Sequence, residues 1–472
     1  MSTIRRTIMR AGAPAAALVM AAASLGGVLA QDATPAAAGG FMTGERSFLV
    51  GADGVDIAFT PLLTSGDMVG EYQMAGVPDG LGAVVAGDKV IVMMNHELTT
   101  VDDENMSGAR ISRLVLDPKT GAVLEGSYVL DGTEEYERLC SAFLADAKVG
   151  FDAPLFLTGE ESVDTKRGGM AIAVDPMTST VTELPWLGHI AHENVIAVPG
   201  FDGKTVLIAT DDDSMGSELY MYVAASPADV LAGKGQLYVF KAADAAGAQD
   251  VAKGGAELTG EFIPVDQKDN TDAATLQTAV TGAGAFRFIR VEDATYDRAT
   301  PNTIYFNDTG DNEEPNLKAD GSPINANGRV YSMTLDPADP TKVTSLKVML
   351  DGDAGDDIKN PDNIEASASG LVIQEDRNGY NRAENSEDTG RIFHVDPATG
   401  ALTMIARIDQ SVGDGLVDAG DKAGSWESSG IIDVSDIYGE GAWLATVQAH
   451  SIKAAQFGGE DESGQLLLIQ VK

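Results

Sequence analysis

Residues 111–121 read Ile-Ser-Arg-Leu-Val-Leu-Asp-Pro-Lys-Thr-Gly, a short apolar alternation that runs into Asp-Pro. The phrase returns at 169–176, 328–337 and 390–400. Alternation with a period of two buries one face of a strand, and Asp-Pro opens a tight turn before the next strand. Each copy therefore predicts a β-hairpin.

The spacing of these hairpins indicates a repeating architecture. Asp117 and Asp175 are 58 residues apart, and Asp336 and Asp396 are 60 apart. A hairpin repeat of this length, with no helical stretch between copies, is typical of four-stranded propeller blades. A β-sandwich array would instead show domains of about 100 residues joined by clear linkers.

We therefore predict an all-β fold, a single β-propeller spanning residues 43–472. Dividing its roughly 430 residues by about 60 to 75 residues per blade gives six or seven blades. The alternating strand at 465–471 is expected to close the ring against N-terminal residues.

The composition excludes some partners. The chain of 472 residues has 72 Asp and Glu against 32 Lys and Arg, a net charge of −40, and 44% of it is hydrophobic. Such a potential argues against binding nucleic acid or an anionic lipid surface. Excess carboxylate suits proteins that hold hard cations such as Ca²⁺, although it also occurs on a merely soluble, self-repelling surface.

The N-terminus has the features of an export signal. Arg5 and Arg6 form a twin-arginine pair before an Ala-rich apolar stretch, so residues 1–30 are expected to be a signal peptide of the twin-arginine type. Residues 31–42 then form a flexible leader. The protein is expected to be secreted, periplasmic or at the cell surface. Its sole cysteine, Cys140, allows no internal disulfide.

Polar side chains that could bind metal recur beside the apolar strands. They lie in the segments 95–97, 160–162, 192–194, 211–214, 290–293, 307–311, 361–364 and 425–429. An acidic residue at a strand end is by itself typical of a turn or cap. Packed around one axis, however, such carboxylates would repel each other unless cations or an arginine lay among them. The pattern predicts a cation site in the propeller channel.

The same residues, taken in order, match a known family. The series is Asn95-His96-Glu97, Glu137-Arg138-Leu139-Cys140-Ser141, Thr158-Gly159-Glu160-Glu161, His192-Glu193, Asp211-Asp212-Asp213, Arg290-Val291-Glu292-Asp293, Pro361-Asp362-Asn363, Trp426-Glu427 and Gln448-Ala449-His450. Across essentially the whole mature chain it resembles the PhoX-type alkaline phosphatases, which also use twin-arginine export. The chain departs from the family at Ala142-Phe143, where Gly-Gly is usual, and at Gly159, where a cysteine is usual.

The resemblance implies a six-bladed propeller whose channel mouth holds Fe³⁺ and Ca²⁺ and hydrolyses phosphate esters. Cys140 would be the iron thiolate. The carboxylate ligands would be Glu161 (or, less favoured, Glu160), Glu193 and Glu292, with Asp362, Glu427 and Glu97 in the calcium shell. Arg290 would be the catalytic residue that holds the phosphoryl oxygens, and His96 and Lys318 are candidates for further substrate contacts.

Three functions follow as hypotheses. The first is a secreted, metal-dependent phosphatase that acts as a monomer on small phosphate esters. The alternative is a calcium-stabilised extracellular propeller of the same family that binds ligands or serves as a scaffold without hydrolysis, favoured by the altered loops at Ala142-Phe143 and Ala449-His450. A phytase-like or lactonase-like calcium propeller ranks lower because it gives Cys140 no role.

Overall fold

We analysed a computed structural model, which describes residues 39–99, 108–213, 216–244, 250–251, 254–255, 257–376, 389–413, 424–453 and 462–472. The predicted signal peptide and most of the predicted leader lie outside these residues. Within them, no helix has both the length and the apolar character that a bilayer-crossing segment needs.

Short antiparallel strands follow one another along the chain. Before the first complete set come β1 (Leu49–Gly51), β2 (Ile57–Thr64), β3 (Met68–Val69) and β4 (Tyr72–Gln73). The first set is β5 (Pro78–Ala86), β6 (Lys89–His96), β7 (Arg110–Leu116) and β8 (Val123–Leu130). The second is β9 (Phe143–Ala145), β10 (Leu155–Gly159), β11 (Ala171–Asp175) and β12 (Thr180–Glu183).

The later sets continue this pattern. The third is β13 (His192–Val198), β14 (Thr205–Asp211), β15 (Leu219–Ala224) and β16 (Gln236–Ala242), followed by β17 (Leu258–Pro264). The fourth is β18 (Val291–Tyr296), β19 (Thr303–Asp308), β20 (Arg329–Asp336) and β21 (Asp339–Asp351). The fifth is β22 (Pro361–Ser367), β23 (Gly370–Glu375), β24 (Arg391–Asp396) and β25 (Ala401–Ile408). The last strands are β26 (Glu427–Asp433), β27 (Ala442–Lys453) and β28 (Glu462–Val471).

The first strands of these sets form a closed ring. The inner strands contact one another in the order β5, β9, β13, β18, β22 and β26, and β26 contacts β5 again. The sets are thus the blades of an all-β propeller, as predicted. Among the described residues this ring has six inner strands, and β17 pairs with β21 and so joins the outer edges of the third and fourth sets into one sheet.

Both ends of the chain help to close the ring. Strand β2 pairs antiparallel with β28, from Ile57 opposite Val471 to Thr64 opposite Gln465. The last blade therefore combines one N-terminal strand with three C-terminal strands, in the order β2-β28-β27-β26. Strand β1 adds to the outer edge of the fifth blade through β25. The predicted closure is confirmed.

The Asp-Pro motifs form the turns of the outer hairpins in four blades. Oδ1 of Asp117 accepts the backbone N–H groups of Lys119 and Thr120, each at 2.9 Å. Gly121 follows with φ of +75°, a conformation that glycine adopts without strain. The other copies join β11 to β12, β20 to β21 and β24 to β25.

The expectation of no helix between the repeats is wrong for one segment. Helix α2 (Ala273–Ala283) lies between β17 and β18, and the shorter helices are α1 (Pro227–Leu231) and α3 (Ser435–Tyr438). The side chain of Asp272 caps α2 by accepting the N–H of Thr275 at 2.9 Å. Leu276 and Val280, one turn apart, are buried against the core.

Apolar side chains fill the interfaces between blades. Around the third and fourth blades an aromatic cluster includes Phe286 and Phe288, whose ring centroids are 4.9 Å apart, and Phe306 stacked on Tyr331 at 5.0 Å. Such pairs contribute about 0.5–1.5 kcal/mol each beyond their buried area. This packing gives the inner strand ends a rigid frame.

Candidate metal centre

The acidic residues are delivered by the beginnings of the inner strands. Asp79, Glu193, Glu292 and Asp362 are the second residues of β5, β13, β18 and β22, and Glu427 is the first of β26. In the first four strands the ladder shifts register across the acid, as it does between Pro78 and Leu81. A bulge of this kind re-aims a side chain locally, and here it occurs at the same place in four blades.

In four blades, a residue with an unusual backbone conformation precedes the potential ligand. Two residues before it stands a non-glycine residue in the left-handed backbone region: Val77 (φ 46°) before Asp79, Arg138 (46°) before Cys140, Arg290 (60°) before Glu292 and Asn360 (47°) before Asp362. This region is sparsely populated by such residues and persists only where the surrounding structure enforces it. The repeated bend brings ligands from separate blades to equivalent positions.

Seven side chains form a continuous set of potential ligands. Their three triads are Asp79–Glu97–Cys140, Cys140–Glu161–Glu193 and Glu193–Glu292–Asp362, and within each triad one ligand atom per residue lies within 4.8 Å of the others. The triads are linked because Cys140 and Glu193 each belong to two of them. Glu97 lies one residue after the second strand β6, and Glu161 lies two residues after the second strand β10. These strands run antiparallel to the inner strands and so end beside their beginnings.

The hydrogen bonding of the set suits cations. Among the described residues, Oδ1 of Asp79 and both carboxylate oxygens of Glu193 are buried and accept no hydrogen bond of good geometry, although the nearby Ser141 hydroxyl and Cys140 thiol act to lower the pKa of Glu193. Oδ2 of Asp79, in contrast, accepts from the Cys140 thiol at 3.3 Å and from Ser429 and Gln448 at 2.7 Å each. Because a buried oxygen without a partner costs free energy, these positions fit a metal ion.

Burial and mutual repulsion perturb the acids. Desolvation is the largest cause that raises the pKa values of Asp79, Glu193, Glu292 and Asp362 well above normal. The next cause in each case is a neighbouring acid, such as Glu97 for Asp79 and Glu292 for Asp362. Burial also raises the pKa of the Cys140 thiol. Protons therefore compete with cations for these side chains.

Two arginines border the set. Arg290 pairs with Asp212 and, at 3.2 Å, with Glu292. Arg138 donates from Nη2 to both oxygens of Glu161, at 2.8 and 2.9 Å, and its Nη2 lies 2.8 Å from Oε1 of Glu97. Both guanidinium groups are thus held among the potential ligands by ion pairs.

Most of the predicted site residues lie together. The triads contain six of the predicted ligands: Cys140, Glu161, Glu193, Glu292, Asp362 and Glu97. Arg290 forms an ion pair with Glu292. Glu427 acts electrostatically on Asp79 and Asp362 and lies 3.7 Å from His450. It borders the set without belonging to a triad.

Glu160 has a structural role that Glu161 does not share. Its carboxylate accepts the N–H groups of Glu137 and Met170, each at 3.1 Å, and the hydroxyl of Thr165 at 2.9 Å. Glu160 therefore ties down the loop after β10, while the next residue contributes to a triad. Of the two alternatives for this ligand, the geometry favours Glu161.

The structure does not bring His96 or Lys318 to the site. His96 is buried, with Nδ1 2.8 Å from the Gly76 carbonyl and Nε2 2.7 Å from the Ser112 hydroxyl. Burial lowers its pKa to about 3, so it is neutral. Lys318 lines a separate depression with Asp250 and Arg329. As substrate contacts, both assignments are corrected: His96 is a core residue with satisfied ring nitrogens, and Lys318 lies in another cavity.

Three site residues were not assigned from the sequence. Asp79 follows Val77-Pro78 in the same way that Asp362 follows Asn360-Pro361. This shared Pro-Asp motif is the sequence signal that could have identified Asp79. Arg138 and Asp212 lay inside quoted motifs without a role. Only the ion pairs of the folded chain show what these two side chains contact.

Comparisons with known proteins agree with this geometry. The chain resembles the structure of Pseudomonas fluorescens PhoX in complex with vanadate, described as a transition-state analogue, with a TM-score of 0.60, 15% identity, and coverage of 93% of this chain and 97% of that chain. A glycosyl hydrolase from Bacteroides ovatus matches more weakly, with a TM-score of 0.33, 10% identity, and coverage of 71% and 87%. The comparison with curated protein sequences finds no match.

A family model provides the direct assignment. The model described as alkaline phosphatase PhoX matches residues 126–421, more than half of the chain. That range includes Cys140, Glu161, Glu193, Glu292 and Asp362, which are members of the triads. The chain belongs to the PhoX alkaline phosphatase family.

Proposed function

We propose that this protein is a metal-dependent phosphatase that hydrolyses phosphate esters at an iron and calcium site in the propeller channel. The observation that carries the proposal is the continuous set of three triads with Arg290 beside it, in a chain of the PhoX family. Family membership alone supports a phosphatase, and the triads support its dependence on metal.

The donor atoms divide the set by metal preference. The two triads that contain Cys140 combine a thiol with carboxylates, a donor set that suits iron. The triad Glu193–Glu292–Asp362 offers oxygen atoms only, which suits Ca²⁺. When bound, such cations neutralise the charge of a phosphoryl group and lower the pKa of water.

The residues of the chain bind and orient the ester. Arg290 projects a fork of N–H donors from the start of the fourth blade, and its side chain is only 16% exposed. A guanidinium can hold two phosphoryl oxygens with parallel hydrogen bonds, which lysine cannot do. Asp212 and Glu292, both paired with Arg290, fix the direction of that fork.

The test is hydrolysis of para-nitrophenyl phosphate at alkaline pH by protein supplied with Ca²⁺ and iron. Activity should disappear after chelation and return with the metals, and Arg290→Ala should reduce kcat/KM by roughly a hundredfold. Arg113→Ala is a matched control, because Arg113 on β7 donates to the Pro176 carbonyl and contacts no member of the triads. No turnover by metal-replete protein would reject the phosphatase and favour the calcium scaffold. Arg290→Ala activity equal to that of the control would remove Arg290 from the site.

We also propose export by the twin-arginine route, on the evidence of Arg5-Arg6 and the apolar stretch after it. That route carries folded proteins, which agrees with a site whose ligands come together only in the closed ring. A monomer is the expected state.

A further inference from the structure

Arg138 and Arg290 are equivalent residues of two blades. Each stands two positions before a member of the triads, Cys140 or Glu292, and each has a left-handed backbone, with φ of 46° and 60°. The other two blades that share this bend have Val77 and Asn360 there. Two of these four blades therefore place a guanidinium group at this position.

The two guanidinium groups act on the same carboxylates. Glu161 pairs directly with Arg138 and acts electrostatically on Arg290. Asp212 pairs with Arg290 and acts electrostatically on Arg138. Because each arginine lies within range of the other's partner, the two groups flank one part of the set from the second and fourth blades.

Arg138 is the more accessible of the two. Its side chain is 44% exposed, against 16% for Arg290, although its Nη2 reaches the buried carboxylate of Glu161. The side chain therefore connects the solvent side of the site with its interior. In a chain with a net charge of −40, an exposed guanidinium at this position gives an incoming anion a local attraction.

The carboxylates that now hold Arg138 are themselves members of the triads. Glu97 and Glu161 belong to two different triads, each of which also contains Cys140. Any cation held by these oxygens would compete with the guanidinium for them. Donors of Arg138 would then be available to a phosphoryl group beside the triads.

We propose that Arg138 is a second substrate-contacting residue, which with Arg290 grips the phosphoryl group and selects phosphomonoesters over diesters. The inference rests on the proposed function. A monoester dianion has three terminal oxygens and up to two charges, whereas a diester has two such oxygens and one charge. A second guanidinium therefore stabilises the monoester more.

The experiment compares wild type, Arg138→Ala, Arg138→Lys and the control Arg113→Ala. It measures kcat/KM for para-nitrophenyl phosphate and for bis-para-nitrophenyl phosphate, metal content by mass spectrometry, and orthophosphate binding by calorimetry. Arg138→Ala should lower monoester kcat/KM and orthophosphate affinity by roughly ten- to a hundredfold, and diester kcat/KM by less than about threefold. Arg138→Lys should recover part of the monoester loss, because it keeps the charge without the fork.

Several outcomes would overturn the inference. Equal losses for both esters, accompanied by a loss of bound metal, would show that Arg138 only supports the ligands. Orthophosphate affinity unchanged in Arg138→Ala would also reject it. If wild type binds orthophosphate but hydrolyses neither ester, the proposed function fails, while the inference is still judged by the ratio of orthophosphate affinities. If wild type hydrolyses the esters but binds no orthophosphate, the inference is judged by the change in the monoester-to-diester ratio of kcat/KM. If wild type neither binds orthophosphate nor hydrolyses either ester, both are rejected.

Discussion

The Cys140 thiol donates a hydrogen bond to Oδ2 of Asp79, at 3.3 Å, across 61 residues of sequence. The two residues come from neighbouring blades: Asp79 opens β5, and Cys140 lies just before β9. Their contact joins the triad at the first blade to the triad at the third, since Cys140 also lies near Glu193. A lone thiol is thus placed between buried carboxylates, and not among aliphatic side chains.

Replacing this thiol should remove iron specifically. Cys140→Ser keeps a donor for Asp79 but loses the soft ligand, so iron affinity should fall roughly tenfold or more while Ca²⁺ remains bound. Elemental analysis and the visible absorption of the thiolate–iron pair measure the effect, and circular dichroism checks the fold. Iron content and colour equal to wild type would contradict a ligand role for Cys140.

Glu160 and Glu161 provide a matched pair of adjacent variants. Glu161→Gln removes charge from a triad and from Arg138, so cation affinity should fall by roughly tenfold or more. Glu160→Gln should leave cation affinity unchanged. It should instead cost about 1–3 kcal/mol of stability, because the carboxylate accepts three hydrogen bonds. Iron titrations and thermal unfolding of both variants check this, and the reverse order of effects would exchange the two assignments.

Gly80 allows the close approach of β5 to the Cys140 segment. A Cβ at Gly80 would lie 2.5 Å from both the Ala142 nitrogen and the Cys140 carbonyl oxygen, so the backbone would have to move. Gly80→Ala should cost about 2 kcal/mol or more and weaken cation binding as Asp79 shifts. Gly282→Ala in helix α2, where nothing lies within 4 Å, should instead stabilise the protein by about 0.5–1 kcal/mol. Chemical unfolding measures both, and a Gly80→Ala variant as stable as wild type would disprove the tight contact.

The stability of cation-free protein should fall as the pH rises. The pKa values of Asp79, Glu193, Glu292 and Asp362 are raised in the folded state, mainly by burial. The folded chain therefore keeps protons that the unfolded chain releases near the ordinary values of 3.8 and 4.5. Stability is full below those values and is lost as the pH rises towards the raised ones.

Thermal unfolding in chelator between about pH 5 and about pH 9 tests this pH dependence. The Tm should drop by several degrees at the alkaline end, and Ca²⁺ should restore it there. A Tm that rises with pH in chelator would mean that the acids are already ionised and compensated by other groups.

Export can be tested on the intact precursor. Replacing Arg5 and Arg6 together by lysine should retain the protein in the cytoplasm, whereas Arg10→Lys should not. N-terminal sequencing of the exported protein should begin at Gln31. Unchanged export of the double variant would exclude the twin-arginine route.

The repeat, the hairpins and the closing strand were readable from the sequence because they depend on local alternation and turn chemistry. Asp117-Pro118 specifies its turn within a few residues, and the strand at 465–471 shows its alternation without a partner. The ligand types could also be predicted, since acids beside strands form a pattern and Cys140 is unique. Helix α2 also depends on local sequence, including its cap at Asp272, but the sequence analysis did not predict it.

The tertiary structure alone decided which side chains meet. The identity of Glu161 over Glu160, the membership of Asp79, and the position of His96 outside the set follow from contacts between side chains and backbone groups that are distant in sequence. Those contacts depend on the closure of the ring, because each inner strand packs against its neighbours in space. Sequence specifies the chemistry that each blade carries, whereas the packing of blades around one axis specifies which of those groups share a site.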